Sequence, residues 1–263
     1  MSKIINKFNL NGKTAIVIGG SGLIGSQTVN TLIDAGCNVI NVDLYNNKKK
    51  IKNYNFFKVD IQNEKSIRTF KKKFLKKFNN LNILINHAFY KGNPKKIIPN
   101  QKYFSSLDKY PSKEWNKTLN VNLNGMFFFT KHFINLLLKN KNSVILNTSS
   151  TYGKVSPNKN IYGNSGINSP IGYATTKSAV IGFTKYLATH YGDQGLRANI
   201  LIPGGIKSPG QSKKFRKNYE MLTPLKRMAN YNDYSAAILY LVSDASEYMT
   251  GAEFIIDGGW TSW

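Results

Sequence analysis

The sequence predicts an α/β fold in one domain, built as a doubly wound parallel β-sheet with helices on both faces. Short apolar runs, which suit buried parallel strands, alternate with longer segments whose apolar residues recur at helical spacing. A glycine-rich turn joins the first of these runs to the first helix. The 263 residues, 41% of them hydrophobic, are enough for one core and contain no internal repeat, so we assign 1–263 to a single domain.

Strands and helices are predicted to alternate in a regular order. The first helix should end at Gly36, because glycine readily caps a helix C-terminus. Ile67, Phe70 and Phe74 recur between lysines at helical spacing and indicate an amphipathic helix. The predicted strands are Thr14–Gly19, Asn38–Asp43, Leu81–Asn86, Ser143–Ser149, Arg197–Ile202 and Glu253–Asp257. The other predicted helices are Gly22–Gly36, Lys113–Lys139, Tyr173–Tyr191 and Asn232–Ser243.

The chain is strongly basic, with 37 lysines and arginines against 13 acidic residues and a net charge of +24. One interpretation is nucleic-acid binding. The other is a compositional bias, since lysine and asparagine are very frequent and only Arg68, Arg197, Arg216 and Arg227 are arginines. Nucleic-acid sites tend to use arginine for bidentate contacts, so we favour the bias and do not expect a nucleic-acid partner.

Three features bear on the compartment. The sequence has no run of eighteen apolar residues, so no membrane span is expected. Its first residues lack the apolar centre of a signal peptide. Cys37 is the only cysteine, which excludes an intrachain disulfide and fits a reducing compartment. We therefore expect a cytoplasmic protein. His87, His132 and His190 are scattered without ligand spacing, so no metal site is predicted.

The glycine turn contains Gly19, Gly22 and Gly25 between the first strand and the first helix. Such a turn lets backbone amides approach a pyrophosphate at the helix N-terminus. Asp43 ends the next strand, where a carboxylate can accept hydrogen bonds from both adenosine ribose hydroxyls. It would also repel a 2′-phosphate, which favours NAD(H). Lys48–Lys50 lie just downstream and keep NADP(H) open, and Asp43 as a simple turn residue is the alternative.

Tyr173 and Lys177 are four residues apart in a predicted helix and should share one face. A nearby ammonium group favours phenolate and lowers the pKa of a phenol, which would let a tyrosine act as an acid or base near neutrality. Taken alone, a tyrosine–lysine pair at this spacing is more often part of a solvated helix surface.

Taken together, these motifs resemble the short-chain dehydrogenase/reductase family over nearly the whole chain, and this resemblance implies a Rossmann-type sheet. The matches occur in family order. They are Gly19/Gly22/Gly25, Asp60-Ile61, Asn86-His87-Ala88, Asn122, Ser150, Tyr173 with Lys177, Pro203-Gly204-Gly205-Ile206-Lys207-Ser208, Thr250-Gly251 and Asp257-Gly258-Gly259. A weaker resemblance joins the chain to bacterial oxidoreductases of flagellin modification and nonulosonic-acid sugar pathways.

The resemblance implies an NAD(P)-dependent enzyme that interconverts an alcohol and a ketone. Tyr173 would be the acid/base and Lys177 its activator, Ser150 would orient the substrate oxygen, and Asn122 would complete a proton relay. The implied cofactor contacts are Gly19, Ser21, Gly22, Leu23, Ile24, Gly25, Asp43, Leu44, Asp60, Ile61, Asn86, His87, Ala88, Tyr173, Lys177, Pro203, Gly204, Ile206 and Ser208. The implied substrate contacts are Ser150, Tyr162, Tyr173 and Gly205. Members of the family are commonly homotetramers, so a tetramer or dimer is expected.

Several positions depart from the family pattern. Leu23 replaces the middle glycine of the turn, and His87 and Phe89 replace Asn and Gly. The interval from Ser150 to Tyr173 is long. Tyr162 lies within it but has Gly166, not lysine, four residues later, so Tyr162 is interpreted as a loop residue or substrate contact.

The substrate is predicted from the loops. Two long segments lack clear periodicity, His87–Pro111 and Tyr152–Pro170, and long irregular loops are often functional. A third segment, Ile206–Met228, matches the family's substrate-binding region. Their basic residues, Lys91, Lys95, Lys96, Lys102, Lys207, Lys213, Lys214 and Arg216, could receive an anionic sugar. The alternatives are a 3-oxoacyl-type ketoreductase that uses NADPH, a non-catalytic nucleic-acid binder of the same fold, and a regulatory relative without turnover.

Overall fold

A computed structural model describes residues 2–46, 51–92 and 102–263. Its centre is a seven-stranded parallel sheet with the order β3-β2-β1-β4-β5-β6-β7. The strands are β1 (Thr14–Ile18), β2 (Asn38–Asp43), β3 (Tyr54–Lys58), β4 (Ile83–Asn86), β5 (Ser143–Thr148), β6 (Leu196–Pro203) and β7 (Glu253–Ile256). The helices are α1 (Lys3–Asn6), α2 (Leu23–Asp34), α3 (Glu64–Leu75), α4 (Ser112–Leu119), α5 (Gly125–Leu137), α6 (Ile171–Tyr191), α7 (Lys213–Met221) and α8 (Ser235–Val242).

Helices cover both faces of the sheet, which confirms the predicted doubly wound α/β fold. On one face, apolar residues of α3, α5 and α6 form a core that includes Phe70, Phe133 and Leu187. On the other face, α2 and α8 pack through residues such as Val29 and Leu241. Strands β1 and β5 are buried along their whole length because both faces of the sheet are covered.

The strand order reverses between β1 and β4, which are neighbours in the sheet although β2 and β3 separate them in the chain. A crevice opens at such a switch point, outside the carboxyl ends of the strands. Gly36 adopts φ +90 at the end of α2, as expected for a glycine that caps a helix.

Three elements were not predicted: the short helix α1, strand β3 and helix α7. Strand β3 lies at the sheet edge, and its sequence Tyr-Asn-Phe-Phe-Lys is only partly buried, so it shows neither a continuous apolar run nor a regular alternation. Helix α7 has five charged residues among nine and buries only Tyr219, which leaves a weak apolar stripe.

The prediction of one continuous helix over Lys113–Lys139 is wrong, because a π-helical stretch interrupts it. The structure has α4, then a π-helical stretch Asn120–Asn124, then α5. The wider turn places Asn122 in the interior, where it is buried, and π stretches of this kind are frequent at functional sites.

Lys48–Lys50, Lys95 and Lys96 fall outside the described residues. Within the described ranges, no helix combines the length and apolar character that crossing a bilayer requires.

Candidate active site

The predicted site residues gather at the carboxyl edge of the sheet. Parallel strands all end at this edge, so motifs far apart in sequence become neighbours there. The glycine turn follows β1, Asp43 ends β2, Asp60 follows β3, Asn86 ends β4, Ser150 follows β5, and Pro203 ends β6.

The glycine turn is too tight for side chains at two positions. Gly19 has φ +80, and a Cβ there would stand 2.6 Å from the Ala88 amide nitrogen. A Cβ on Gly25 would collide with the Gly19 carbonyl oxygen. Gly22 is the N-cap of α2 and provides no side-chain acceptor, so the first-turn amides, including those of Leu23 and Ile24, are not capped. This helix N-terminus can bind an anion.

Asp43 is fixed at the end of β2 by backbone amides. Its carboxylate accepts hydrogen bonds from the Ser21 amide at 3.0 Å and the Leu44 amide at 2.7 Å. The side chain remains partly exposed, and two carboxylate oxygens can accept further bonds. Asp43 therefore connects the glycine turn to the next strand and retains capacity for a hydroxyl donor.

The predicted cofactor contacts Asp60 and Ile61 differ in exposure. Asp60 is exposed, and one of its carboxylate oxygens accepts from the Gln62 amide at 3.0 Å. Ile61 is buried and packs where a Cβ on Gly125 would fall, at 2.9 Å.

Asn122 binds the main chain of the loop after β4. Its Oδ1 accepts from the Tyr90 amide at 2.5 Å, and its Nδ2 donates to the Tyr90 carbonyl at 3.0 Å. Nδ2 also donates to Thr176 Oγ1 at 3.0 Å. The π stretch therefore ties the loop after β4 to the helix that carries Tyr173 and Lys177.

Lys177 is buried beneath the site. Its Nζ donates to the Thr148 carbonyl at 2.7 Å, and it lies 5.7 Å from the centroid of the Tyr173 ring. Burial lowers the pKa of Lys177 to about 7, because the charged form is poorly solvated.

Tyr173 is also buried, and burial raises its pKa to about 12, while the nearby Ser150 hydroxyl acts in the opposite direction. The expected lowering of the phenol pKa is therefore absent from this structure. The physical reason is that Lys177 is itself desolvated, so at the pH where the phenol ionises the lysine is already neutral. The protonated phenol is the form held here.

Ser150 follows β5, and its Oγ accepts from the Tyr152 amide at 3.2 Å. The adjacent Ser149 donates from Oγ to the Lys177 carbonyl at 2.6 Å. These bonds fix the turn after β5 against α6. The structure thus brings Ser150, Tyr173 and Lys177 together, and Asn122 reaches them through Thr176.

His87 is enclosed between two threonines. Its Nε2 lies 2.9 Å from Thr28 Oγ1 and its Nδ1 lies 2.7 Å from Thr148 Oγ1. Burial, reinforced by the nearby positive charge of Lys177, lowers the pKa of His87 to about 3. Both ring nitrogens are used inside the protein, so the predicted cofactor contact of His87 is left to its main chain.

The predicted segment after β6 is held by its own hydrogen bonds. The Ser208 amide donates to Gln211 Oε1 at 2.9 Å, and Gln211 donates back to the Ile206 carbonyl at 2.9 Å. The Gly204 amide donates to the Ile256 carbonyl at 2.9 Å. Hydrogen bonds to β7 and to Gln211 therefore fix the main chain of the segment Pro203–Ser208.

Aromatic residues surround the substrate side. Tyr162 has its hydroxyl 3.5 Å from that of Tyr152, and its ring packs near Phe215. Gly205, a predicted substrate contact, donates its amide to the Tyr219 hydroxyl at 2.6 Å, and the Tyr219 ring occupies the space of a Cβ there. Tyr219 stacks on Trp260 at 4.1 Å.

The sequence interpretation missed Phe89, Tyr152 and Tyr219 as parts of this site. The Phe89 and Tyr173 rings meet edge to face, with centroids 5.7 Å apart. Phe89 stands at a departure from the family pattern, and that departure was the available signal. Tyr219 lies on the unpredicted helix α7, within the segment Ile206–Met228 that was assigned to substrate binding, but no motif singled it out. Among the described residues, no cluster of three or more His, Cys, Asp or Glu side chains could hold a metal ion.

Comparisons with known proteins place the chain among enzymes. A family model described as enoyl-(acyl carrier protein) reductase matches residues 21–261. A 3-oxoacyl-(acyl-carrier-protein) reductase of Thermotoga maritima is 30% identical over 262 residues, which cover 95% of this chain and 98% of the relative. Dehydrogenase/reductase SDR family member 6 of Xenopus laevis is 27% identical over 96% of this chain and 98% of its own length.

A solved structure agrees with these sequence matches. A short-chain dehydrogenase from Leptospira borgpetersenii, with bound NAD+, superposes with a TM-score of 0.87 at 34% identity and covers 97% of this chain and 95% of its own. The chain therefore belongs to the short-chain dehydrogenase/reductase family and is an oxidoreductase of its single-domain type.

Proposed function

We propose that this protein is an NAD(H)-dependent oxidoreductase that interconverts an alcohol and a ketone, with a sugar or another polar or anionic compound as substrate. The observation that carries the proposal is the convergence of Ser150, Tyr173 and Lys177 at the carboxyl edge of the sheet, beside the glycine turn. No step of this chemistry requires a metal ion.

Each residue has a defined task in this proposal. Tyr173, held protonated by burial, donates its proton to the ketone oxygen during reduction and becomes a phenolate. In the oxidation direction this phenolate takes the proton from the alcohol oxygen. Ser150 orients that oxygen through its hydroxyl group. Lys177 donates from Nζ to the Thr148 carbonyl and so holds the helix that carries Tyr173 against β5. The nicotinamide group, when bound, supplies or accepts the hydride.

The cofactor fits the residues at the glycine turn. The uncapped N-terminus of α2 can bind a pyrophosphate, and the absence of a Cβ at Gly19 and Gly25 permits close backbone approach. Asp43 can accept hydrogen bonds from ribose hydroxyls and disfavours a phosphate there. The NAD+ bound by the similar Leptospira enzyme supports this preference.

A second candidate is a 3-oxoacyl-type ketoreductase that uses NADPH. It is favoured by the Thermotoga relative, which is named for that activity. The two candidates differ in their cofactor: NADPH carries a 2′-phosphate that would lie beside Asp43, and NADH does not. Titration of NADH and NADPH, followed by fluorescence, separates them: at least tenfold tighter NADH binding favours the first.

The catalytic assignment is tested by Tyr173→Phe, with turnover measured on a panel of ketones. We expect the rate to fall about 10²–10⁴-fold because the proton donor is lost while the ring remains. NADH affinity should stay within about threefold. Tyr248→Phe is the matched control, since Tyr248 is fully exposed. An unchanged rate in Tyr173→Phe, or wild-type protein that binds neither cofactor, would refute the proposal.

A further inference from the structure

Lys91 places a second ammonium group beside Tyr173, in addition to that of Lys177. Its Nζ lies 4.6 Å from the centroid of the Tyr173 ring and 5.3 Å from that of the Tyr152 ring. Lys177 Nζ lies 5.7 Å from the same Tyr173 ring. Two lysines from different parts of the chain therefore reach one phenol.

The position of Lys91 is fixed by its neighbour. Tyr90 makes two main-chain hydrogen bonds with the Asn122 side chain, at 2.5 and 3.0 Å. The Tyr90 hydroxyl donates to Glu114 Oε2 at 2.8 Å. Lys91 thus directly follows Tyr90, whose main chain and side chain are both hydrogen-bonded. The many surface lysines of this protein are not positioned in this way.

Lys91 has no acidic partner in the described part of the chain. The ion pairs and hydrogen bonds of residues 2–46, 51–92 and 102–263 include none from its Nζ. The two tyrosine rings stabilise the charge only by cation–π contact. Burial lowers its pKa to about 8, so the side chain is still mostly protonated at neutral pH.

A desolvated ammonium group with three N–H donors and no acceptor favours an anion. The glycine turn lies at a different strand end, so the pyrophosphate there does not account for this cation. Lys91 lies instead against the rings of Tyr152 and Tyr173, on the substrate side of the site.

We propose that Lys91 binds an anionic group of the substrate, a carboxylate or a phosphate, while Tyr173 and Ser150 hold the reacting oxygen. The inference rests on the proposed function, because it assigns a charge to the substrate of the same site. It narrows the substrate class to oxo acids and phosphorylated ketones. The two sources of negative charge are distinguished by the test.

The test compares ketones that differ in charge. Pyruvate and levulinate are paired with their methyl esters, and dihydroxyacetone phosphate is paired with dihydroxyacetone. The ratio of kcat/KM between the charged and the neutral member is measured for wild type, Lys91→Gln and Lys91→Arg. Lys139→Gln serves as the matched control, since Lys139 is exposed beyond the far end of α5.

In wild type we expect the charged member of at least one pair to be favoured by about 10–100-fold, mainly through KM. Lys91→Gln should abolish that ratio, Lys91→Arg should restore part of it, and Lys139→Gln should leave it unchanged. Preference confined to the carboxylate pairs or to the phosphate pair identifies the anion. An equal loss for charged and neutral ketones would overturn the proposal, since Lys91 would then act on Tyr173 alone.

A second measurement does not depend on turnover. Acetylation of Lys91 by acetic anhydride is followed by mass spectrometry with each charged or neutral compound present. We expect protection by an anionic ketone and none by its neutral partner. If Lys91 is labelled equally in all cases, the inference is wrong, even when NADH binds normally. If Lys91 is selectively protected but the protein does not bind NADH, only the proposed redox function is wrong.

Discussion

At the scale of single residues, His87 shows how a departure from a family pattern can be structural. Thr28 Oγ1 donates to the Ile24 carbonyl at 2.9 Å, so it must accept from His87 Nε2–H. Nδ1 then accepts from Thr148, whose carbonyl holds Lys177. A neutral imidazole thus joins the glycine-turn helix to the strand whose last residue binds Lys177.

This arrangement predicts acid sensitivity. The pKa of His87 is about 3 in the folded protein and near 6.5 in the unfolded chain, so between these values the unfolded state binds the extra proton. Stability should therefore be lost as the pH falls from about 6.5 towards 3. By pH 5 the loss from this group is about 2 kcal/mol.

His87→Asn removes the titrating group, so its stability should depend less on pH over the same interval even if it is less stable at pH 7. Urea unfolding at pH 7 and pH 5 measures the difference. His190→Asn, on an exposed part of α6, is the matched control and should keep the wild-type pH dependence. Parallel pH profiles for wild type and His87→Asn would contradict the prediction.

At the scale of elements, the turn between β1 and α2 depends on the absence of a side chain at Gly25. We expect Gly25→Ala to lower the free energy of unfolding by about 1–3 kcal/mol, because its methyl group meets the Gly19 carbonyl. The same substitution should weaken NADH binding, since this turn positions the helix N-terminus that would bind the pyrophosphate. Urea unfolding and NADH titration measure both effects.

Gly182→Ala is the matched control for this prediction. Gly182 lies within α6, and a Cβ there meets nothing within 4 Å. Alanine should stabilise the helix by about 0.5–1 kcal/mol relative to glycine. If Gly25→Ala behaves like Gly182→Ala, the turn is not as tight as the structure shows.

Elements with a strong pattern could be predicted from the sequence, and those shaped by tertiary contacts could not. The strand Asn38–Asp43 was predicted with its observed bounds, because its apolar run ends in polar residues. Strand β3 is partly exposed at the sheet edge and escaped detection. The π stretch at Asn120–Asn124 has the sequence Asn-Val-Asn-Leu-Asn, which contains no proline or glycine to interrupt the predicted helix.

The same limit applies to the site. Spacing and family order indicated Ser150, Tyr173 and Lys177, and the structure brings them together. The pKa values could not be predicted from spacing, because they depend on how deeply each group is buried. The environment of Lys91 likewise depends on Asn122 and Tyr90, which the fold brings together across the loop after β4.

At the scale of the whole molecule, α5 and α6 present apolar surface that the described residues leave exposed. Phe127 is 46% exposed and Tyr186 is 53% exposed. Phe127 and Phe183 connect the two helices, with ring centroids 6.5 Å apart. Phe129 and Leu187, on the same two helices, lie instead in the core. Phe129 is about 200° around the helix from Phe127 and therefore faces the opposite way.

This surface predicts self-association through α5 and α6, as a dimer or tetramer. Light scattering after size exclusion should give a mass at least twice the 29.6 kDa of one chain. Phe127→Glu combined with Tyr186→Glu should shift the population to smaller species, because two charges would be buried without partners. Tyr248→Glu adds the same charge at a fully exposed turn and should leave the mass unchanged. Wild type at the mass of one chain would contradict the prediction, and equal shifts in both variants would mean that added negative charge, not this surface, controls association.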